Sequence, residues 1–257
     1  MQVHWLEQST ADVSDRDDWL SSIERRLCSE MSFAKRRTDW RLGRWTAKHA
    51  VAAYLRLSCD PQTLAAIEVR PDASGAPDVF LNQQSANVAL SLSHRAGMAV
   101  CAVAPSGVAL GCDLELVELR IAAFVADYFT AEEQAIITRS ATPERDRLVT
   151  VLWSAKESAL KALRTGLRSD TRCVSARLGD ARPEATQAAP ECSSLSSRGS
   201  HAMENWSPLA VSHANGQVFQ GWWRCMDGLV RTVLSLPPSN PPILLVTPEL
   251  PNARKRQ

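Results

Sequence analysis

The sequence predicts an α+β fold of two lobes, each a small, mainly antiparallel sheet packed with helices. Three observations carry this expectation. Apolar residues recur at helical spacing in two long segments, one in each half of the chain. Short apolar runs, bounded by Gly, Pro, Asn and Asp, follow the first segment and recur after the second. Each half therefore mixes helices with strands, and two α+β lobes are the simplest way to cover both sets of apolar faces. The expected division is an N-terminal lobe over residues 1–110 and a C-terminal lobe over 111–257.

The elements follow in order. Residues 14–30, with Trp19, Leu20, Ile23 and Leu27, form a weakly amphipathic helix. Residues 34–57 form a stronger one, with a stripe of Trp40, Ala47, Val51, Tyr54 and Leu55 and with Asp60-Pro61 beyond its end. Its other face carries Lys35, Arg36, Arg37, Arg41, Arg44 and Lys48. Ile67–Val69 and Val79–Leu81 read as strands flanking the turn Asp72–Pro77. Val88–Leu92, Met98–Ala104 and Val108–Leu114 read as three strands of an antiparallel meander. In the second half Thr130 is placed to cap a helix whose first turn holds Glu132 and Glu133. A longer helix runs from about Pro143 to Leu163. Residues 180–205, rich in Ala, Ser, Pro and Gly, read as a loop of low order. Gln217–Arg224 and Leu229–Leu236 alternate as a hairpin across Met226-Asp227-Gly228, and the Pro-rich tail is expected to fray over 247–257.

Composition narrows the function classes. With 257 residues and 45% hydrophobic content, the chain can bury a substantial core. A net charge of +1 creates no demand for nucleic acid or an anionic membrane. No apolar run approaches the roughly 18 residues of a membrane span. The start Met1-Gln2-Val3-His4-Trp5 has neither a basic nor an apolar leader region, so a cytoplasmic protein is expected. The seven cysteines are odd in number and never form a CxxC pair, which argues for reduced thiols over a zinc site or a disulfide framework.

Two short motifs point to chemistry. Gly111-Cys112-Asp113-Leu114-Glu115 puts two carboxylates at i and i+2, on the same side of a strand. Trp153-Ser154-Ala155-Lys156-Glu157-Ser158-Ala159-Leu160-Lys161 puts Glu157 and Lys161 on one helix face. If helix and strand cross, Asp113, Glu115 and Glu157 supply three hard oxygen ligands of the kind Mg²⁺ takes alongside water and substrate phosphates. The lysines then suit the phosphates. Ser91-Leu92-Ser93-His94 at a strand end does not fit a nucleophile triad but could donate to a phosphate. Arg44 and Lys48, at i and i+4, could face another.

Taken together, these residues resemble the 4′-phosphopantetheinyl transferase superfamily, in particular its two-lobe, Sfp-like branch. The family's Gly-x-Asp-x-Glu strand and Trp-(Ser/Cys/Thr)-x-Lys-Glu-(Ala/Ser)-x-x-Lys helix match Gly111–Glu115 and Trp153–Lys161, with Asp113 and Glu157 44 positions apart. Ser91–His94, Phe129-Thr130-x-x-Glu133 and the basic helix holding Leu42-Gly43-Arg44 are also family-like, so the resemblance covers roughly residues 30–180. Two departures stand out. Many relatives have Gly-Lys-Pro where this chain has Gly75-Ala76-Pro77, and Leu-Gly-x-Gly-Leu where it has Leu163-Arg164-Thr165-Gly166-Leu167.

The resemblance implies two similar lobes related by a pseudo-twofold, and a Mg²⁺-dependent transfer (Mn²⁺ being the other candidate). The phosphopantetheine arm of coenzyme A would pass to a serine of an apo acyl or peptidyl carrier protein, releasing adenosine 3′,5′-bisphosphate. It implies metal binding by Asp113, Glu115 and Glu157, and catalysis by Glu157, Lys161 and Asp113. Coenzyme A would be held by Arg44, Lys48, Gly75, Ser93, His94, Lys156 and Lys161, and the carrier met by a rim with Arg139, Arg145, Arg147 and Arg164 as candidates. A monomer is expected, with neither nucleic acid nor membrane as partner. Two competing readings are a coenzyme A-binding module without turnover and a nucleic-acid-binding protein using the 35–48 helix.

Overall fold

The computed structural model describes residues 1–179 and 206–246; the segment 180–205 and the tail 247–257, both expected to be irregular, lie outside the described residues. The chain runs β1 (His4–Ser9), α1 (Ser22–Ser29), α2 (Ala34–Tyr54), α3 (Pro61–Ala66), β2 (Ile67–Pro71), β3 (Pro77–Leu81), β4 (Gln84–Ser85), β5 (Val88–Arg95) and β6 (Met98–Pro105). It continues through β7 (Ala109–Leu116), α4 (Ala122–Tyr128), α5 (Ala131–Arg139), α6 (Thr142–Ala162), β8 (Val174–Leu178), β9 (Ser207–His213), β10 (Val218–Met226), β11 (Leu229–Leu236) and β12 (Ile243–Leu244). The fold is α+β with several antiparallel sheets, as expected.

Local chemistry sets many boundaries. Ser21 and Glu24 form a capping box that starts α1. Thr130 and Glu133 do the same for α5. Asp60 accepts the N–H groups of Gln62 and Thr63 and, with Pro61 in the first turn, starts α3. α2 has no side-chain cap at Phe33. Its stability comes from burial of Leu42, Trp45, Ala47, Ala50 and Val51.

Among the described residues three sheets result. One has the order β12-β1-β6-β5, the second β7-β11-β10-β9-β8, and a small third β2-β3-β4. The three-strand meander expected over 88–114 is corrected here. β5 and β6 form an antiparallel hairpin. β7 leaves it and pairs with β11, Asp113 opposite Thr232. The reason is competition for edges: β6 has β5 on one side and β1 on the other, so no edge remains for β7. The segment after Pro237 also returns to the first sheet, where β12 pairs in parallel with β1.

One apolar cluster lies under α2, around Trp19, Trp45, Val51 and Ile67. Another lies under α6, around Phe129, Leu152, Leu160 and Phe219. A third joins the two larger sheets: Val3, Trp5, Val100 and Ala102 meet Leu110, Cys112, Leu114 and Val233. Among the described residues no helix is long and apolar enough to cross a membrane.

Candidate active site

The site forms where α6 crosses β7. Gly111 makes the crossing possible, since a Cβ at this position would lie 1.7 Å from the backbone oxygen of Ser158 and 2.9 Å from the nitrogen of Ala162. The helix backbone rests directly on the strand. Two residues along β7, Asp113 therefore meets Lys161, whose Nζ donates to its Oδ1 at 2.7 Å and to the carbonyl of Cys112 at 3.1 Å. Glu157, one turn earlier on α6, lies 4.0 Å from the same ammonium.

β5 supports this group from the other sheet. The Oγ of Ser91 accepts the N–H of Cys112 at 2.9 Å. Ser93, two residues on and on the same side, donates from Oγ to Asp113 Oδ1 at 2.8 Å. The Ser-x-Ser motif is thus a fastener between β5 and β7, and Ser93 orients Asp113 rather than offering a free donor to a phosphate. His94 is exposed and within electrostatic reach of Asp39, Lys161, Lys35 and Asp113.

The electrostatics are those of a site short of positive charge. Burial, reinforced by the carboxylate of Asp113, raises the pKa of Glu157 to about 7; Lys161 only partly opposes this. Burial and Asp113 also raise Glu115, against the pull of Arg95 and Arg120. Burial disfavours the charged form of Lys161, but Asp113 and Glu157 outweigh it and hold its pKa above the usual lysine range. Asp113 is 1% exposed, and its Oδ2 is buried with no hydrogen-bond partner. An orphaned buried carboxylate oxygen beside a protonatable glutamate fits a hard divalent cation.

The three-carboxylate cage expected from the sequence is not assembled. Among the described residues no group of three His, Cys, Asp or Glu side chains is placed to hold a metal outright. Glu115 turns elsewhere: Trp153 Nε1 donates to it at 3.3 Å, Arg120 Nη2 at 3.4 Å, and Arg95 Nε stands 3.7 Å away. Glu118 completes this network, pairing with Arg95 at 2.8 Å and Arg120 at 3.1 Å.

A cleft of about 560 Å³ opens beside the site, lined by Gly75, Ala76, Leu90, Ser91, Leu110, Lys161 and Arg164 among others. Gly75, one of the lining residues, has φ +84°, a turn requirement in itself.

Three residues expected to hold coenzyme A, Arg44, Lys48 and Lys156, do not line this cleft. Lys48 is fully buried, with its Nζ paired to Glu24 and donating at 3.0 Å to the carbonyls of Trp19 and Leu64. Lys156, also fully buried, pairs with Glu133 at 2.8 Å and donates to the carbonyls of Thr171 and Val174. Neither ammonium can face a ligand, because each neutralises a capping-box glutamate inside a core. Arg44 lies over the Trp40 ring, 3.9 Å from Glu24.

Sequence reasoning placed Glu133 in a helix first turn but missed Glu24 and the pairing of each glutamate with a buried lysine, although the signal was there. Ser21-x-x-Glu24 and Thr130-x-x-Glu133 are paired capping boxes. Trp45-Thr46-Ala47-Lys48 and Trp153-Ser154-Ala155-Lys156 are paired helix motifs. The other oxygens of the two glutamates accept the N–H groups of Val69 and Ala176, so the two halves repeat one buried device.

Comparison with known proteins follows this geometry. Residues 109–208 match the ACPS family model, described as the 4′-phosphopantetheinyl transferase superfamily. A crystal structure of a holo-(acyl-carrier-protein) synthase from Bacillus anthracis str. Ames in complex with CoA (3′,5′-ADP) is similar at 24% identity, covering 40% of this chain and 92% of that one, with a TM-score of 0.33. No curated protein matches the chain. The family match spans β7, α4, α5, α6 and β8, the elements that carry Asp113, Glu157 and Lys161.

Proposed function

We propose that this chain is a two-lobe, Sfp-like 4′-phosphopantetheinyl transferase, divided near residue 110 with the lobes related by a pseudo-twofold. It moves the phosphopantetheine arm of coenzyme A to a serine of an apo acyl or peptidyl carrier protein and releases adenosine 3′,5′-bisphosphate. The observation that carries the reading is the trio Asp113, Glu157 and Lys161 beside the cleft, with Asp113 Oδ2 buried and unpartnered.

The residues take distinct roles. Asp113 and Glu157, with Glu115 behind them, would hold a Mg²⁺ ion, which would supply charge neutralisation on the diphosphate. The carrier serine oxygen forms a bond to the β-phosphorus while the bond from that phosphorus to the bridging oxygen breaks. Glu157, with its pKa near 7, receives the serine proton. Lys161 stays charged and offsets the negative charge that develops on the departing phosphate. Ser93 and Lys161 both fix Asp113 Oδ1, leaving Oδ2 for the cation. His94 reaches the coenzyme A phosphates from the exposed end of β5.

For the carrier, exposed apolar residues are the better candidates. Leu119 and Ile121, before α4, are 76% and 72% exposed, and Leu167 is 62% exposed. Leu167 borders a hollow of about 440 Å³ lined also by Phe124, Tyr128 and Trp153. Trp153 touches Glu115, so this face adjoins the site. Arg164, one of the arginines expected there, is engaged instead with Asp72 and Asp78.

The test is incubation with coenzyme A, Mg²⁺ and a panel of apo carriers, read by mass spectrometry. The expected result is a mass gain of one phosphopantetheine arm on the carrier, lost in Asp113→Asn. Tight coenzyme A binding with no gain on any carrier would leave a binding module in its place.

A further inference from the structure

We propose that Arg164 is a positioning residue, a clasp across the mouth of the cleft that sets the distance between its two walls. This rests on the reading of the cleft as a coenzyme A site. α6 ends at Ala162 with Leu163 as its C-cap, and Arg164 follows at φ +58°. Glycine is the residue best suited to that conformation, and an arginine there is strained. Its side chain has a compensating use. Nη1 lies 3.3 Å from Asp72 Oδ2, while Nη2 pairs with Asp78 Oδ1 and donates to the carbonyl of Pro77 at 3.3 Å.

Asp72 is held by its own turn. Asp72 Oδ1 already takes the N–H groups of Ser74 at 2.7 Å and Ala76 at 2.9 Å, so only Oδ2 turns to the arginine. Gly75, Ala76, Pro77 and Asp78 of the turn and Lys161, Ala162, Arg164 and Gly166 at the end of α6 all line the cleft. The guanidinium fork therefore ties the 72–78 turn to the end of the helix that carries Glu157 and Lys161. A lysine could not bond both carboxylates in one plane. Charge works the same way: without Arg164 the mouth would present two uncompensated aspartates to an anionic ligand.

Three proteins decide it: wild type, Arg164→Gly and Arg164→Lys, each measured for coenzyme A affinity by calorimetry, for steady-state transfer and for thermal stability. The expected outcome for Arg164→Gly is a rise of about tenfold in both Kd and KM, with kcat within about twofold. Its melting temperature should equal or exceed that of wild type, because glycine removes the strain. Arg164→Lys should fall between the two in affinity; if the glycine variant failed to fold, weakened binding by the lysine variant would still carry the proposal. Unchanged affinity in Arg164→Gly overturns the clasp alone. Wild-type binding without transfer overturns the transferase reading alone, and no binding by wild type overturns both.

Discussion

Glu157 holds a proton near neutrality because burial and Asp113 both oppose its charge. The sign of the linkage follows. A carboxyl whose folded pKa lies above its unfolded value binds more protons when folded, so its contribution to stability declines as pH rises from about 4.5 to 7. The melting temperature without divalent cation should therefore carry a downward component over that window, which Glu157→Gln removes. A divalent cation held by Asp113 and Glu157 would reverse the penalty and expel the proton. Calorimetry of Mg²⁺ binding at pH 6, in buffers of different ionisation enthalpy, should show release approaching one proton per ion, vanishing near pH 9. Equal heats in all buffers at pH 6 would mean that no proton leaves Glu157 when the ion binds, against the raised pKa. Lys161→Ala should lower kcat far more than it raises KM for the carrier, because the ammonium sits on Asp113 rather than at the surface.

At the scale of elements, the α6–β7 crossing decides the geometry. Gly111→Ala forces its Cβ into backbone atoms of Ser158 and Ala162, which cannot rotate away. The helix must lift, at a cost of about 3 kcal/mol or more, the upper end for overpacking. Urea unfolding should register that loss, and Mg²⁺ affinity should fall with it; a midpoint within error of wild type would deny the close contact. The helices α2 and α6, the β10–β11 hairpin and the 72–77 turn were legible because periodicity and turn residues are local signals. The destination of β7 was not legible, since it depends on which strands already occupy the edges of β6. Lys48 and Lys156 were misplaced for a related reason: helical spacing shows which residues share a face but not what covers it. The carboxylates that cover these lysines were announced only by capping boxes. Ala76 and Arg164 lie far apart in sequence yet line the same cleft.

For the whole molecule, the two larger sheets act as one body. They share an apolar core through Val100, Ala102, Cys112 and Val233, all fully buried. At its rim Glu7 of β1 meets Arg231 of β11, with Nε donating at 2.7 Å and Nη2 closing a bidentate pair, while Arg224 of β10 stands 3.4 Å from the same carboxylate. Arg231 is 2% exposed, so this pair is worth most when broken from one side. Glu7→Leu leaves the guanidinium of Arg231 buried with the carbonyls of Met226 and Leu229 but without its counter-charge, and should cost about 3 kcal/mol. Glu7→Leu combined with Arg231→Leu should recover much of that loss, because no buried charge then goes uncompensated. Wild-type unfolding in urea should be one transition, with tryptophan fluorescence and far-ultraviolet dichroism coinciding. β1 also pairs with β6, whose hairpin partner carries Ser93 and His94, so Glu7→Leu should weaken coenzyme A binding from a distance. Two separated transitions in the wild type, or a double variant no more stable than Glu7→Leu, would show that the sheets fold independently and that the pair does not join them.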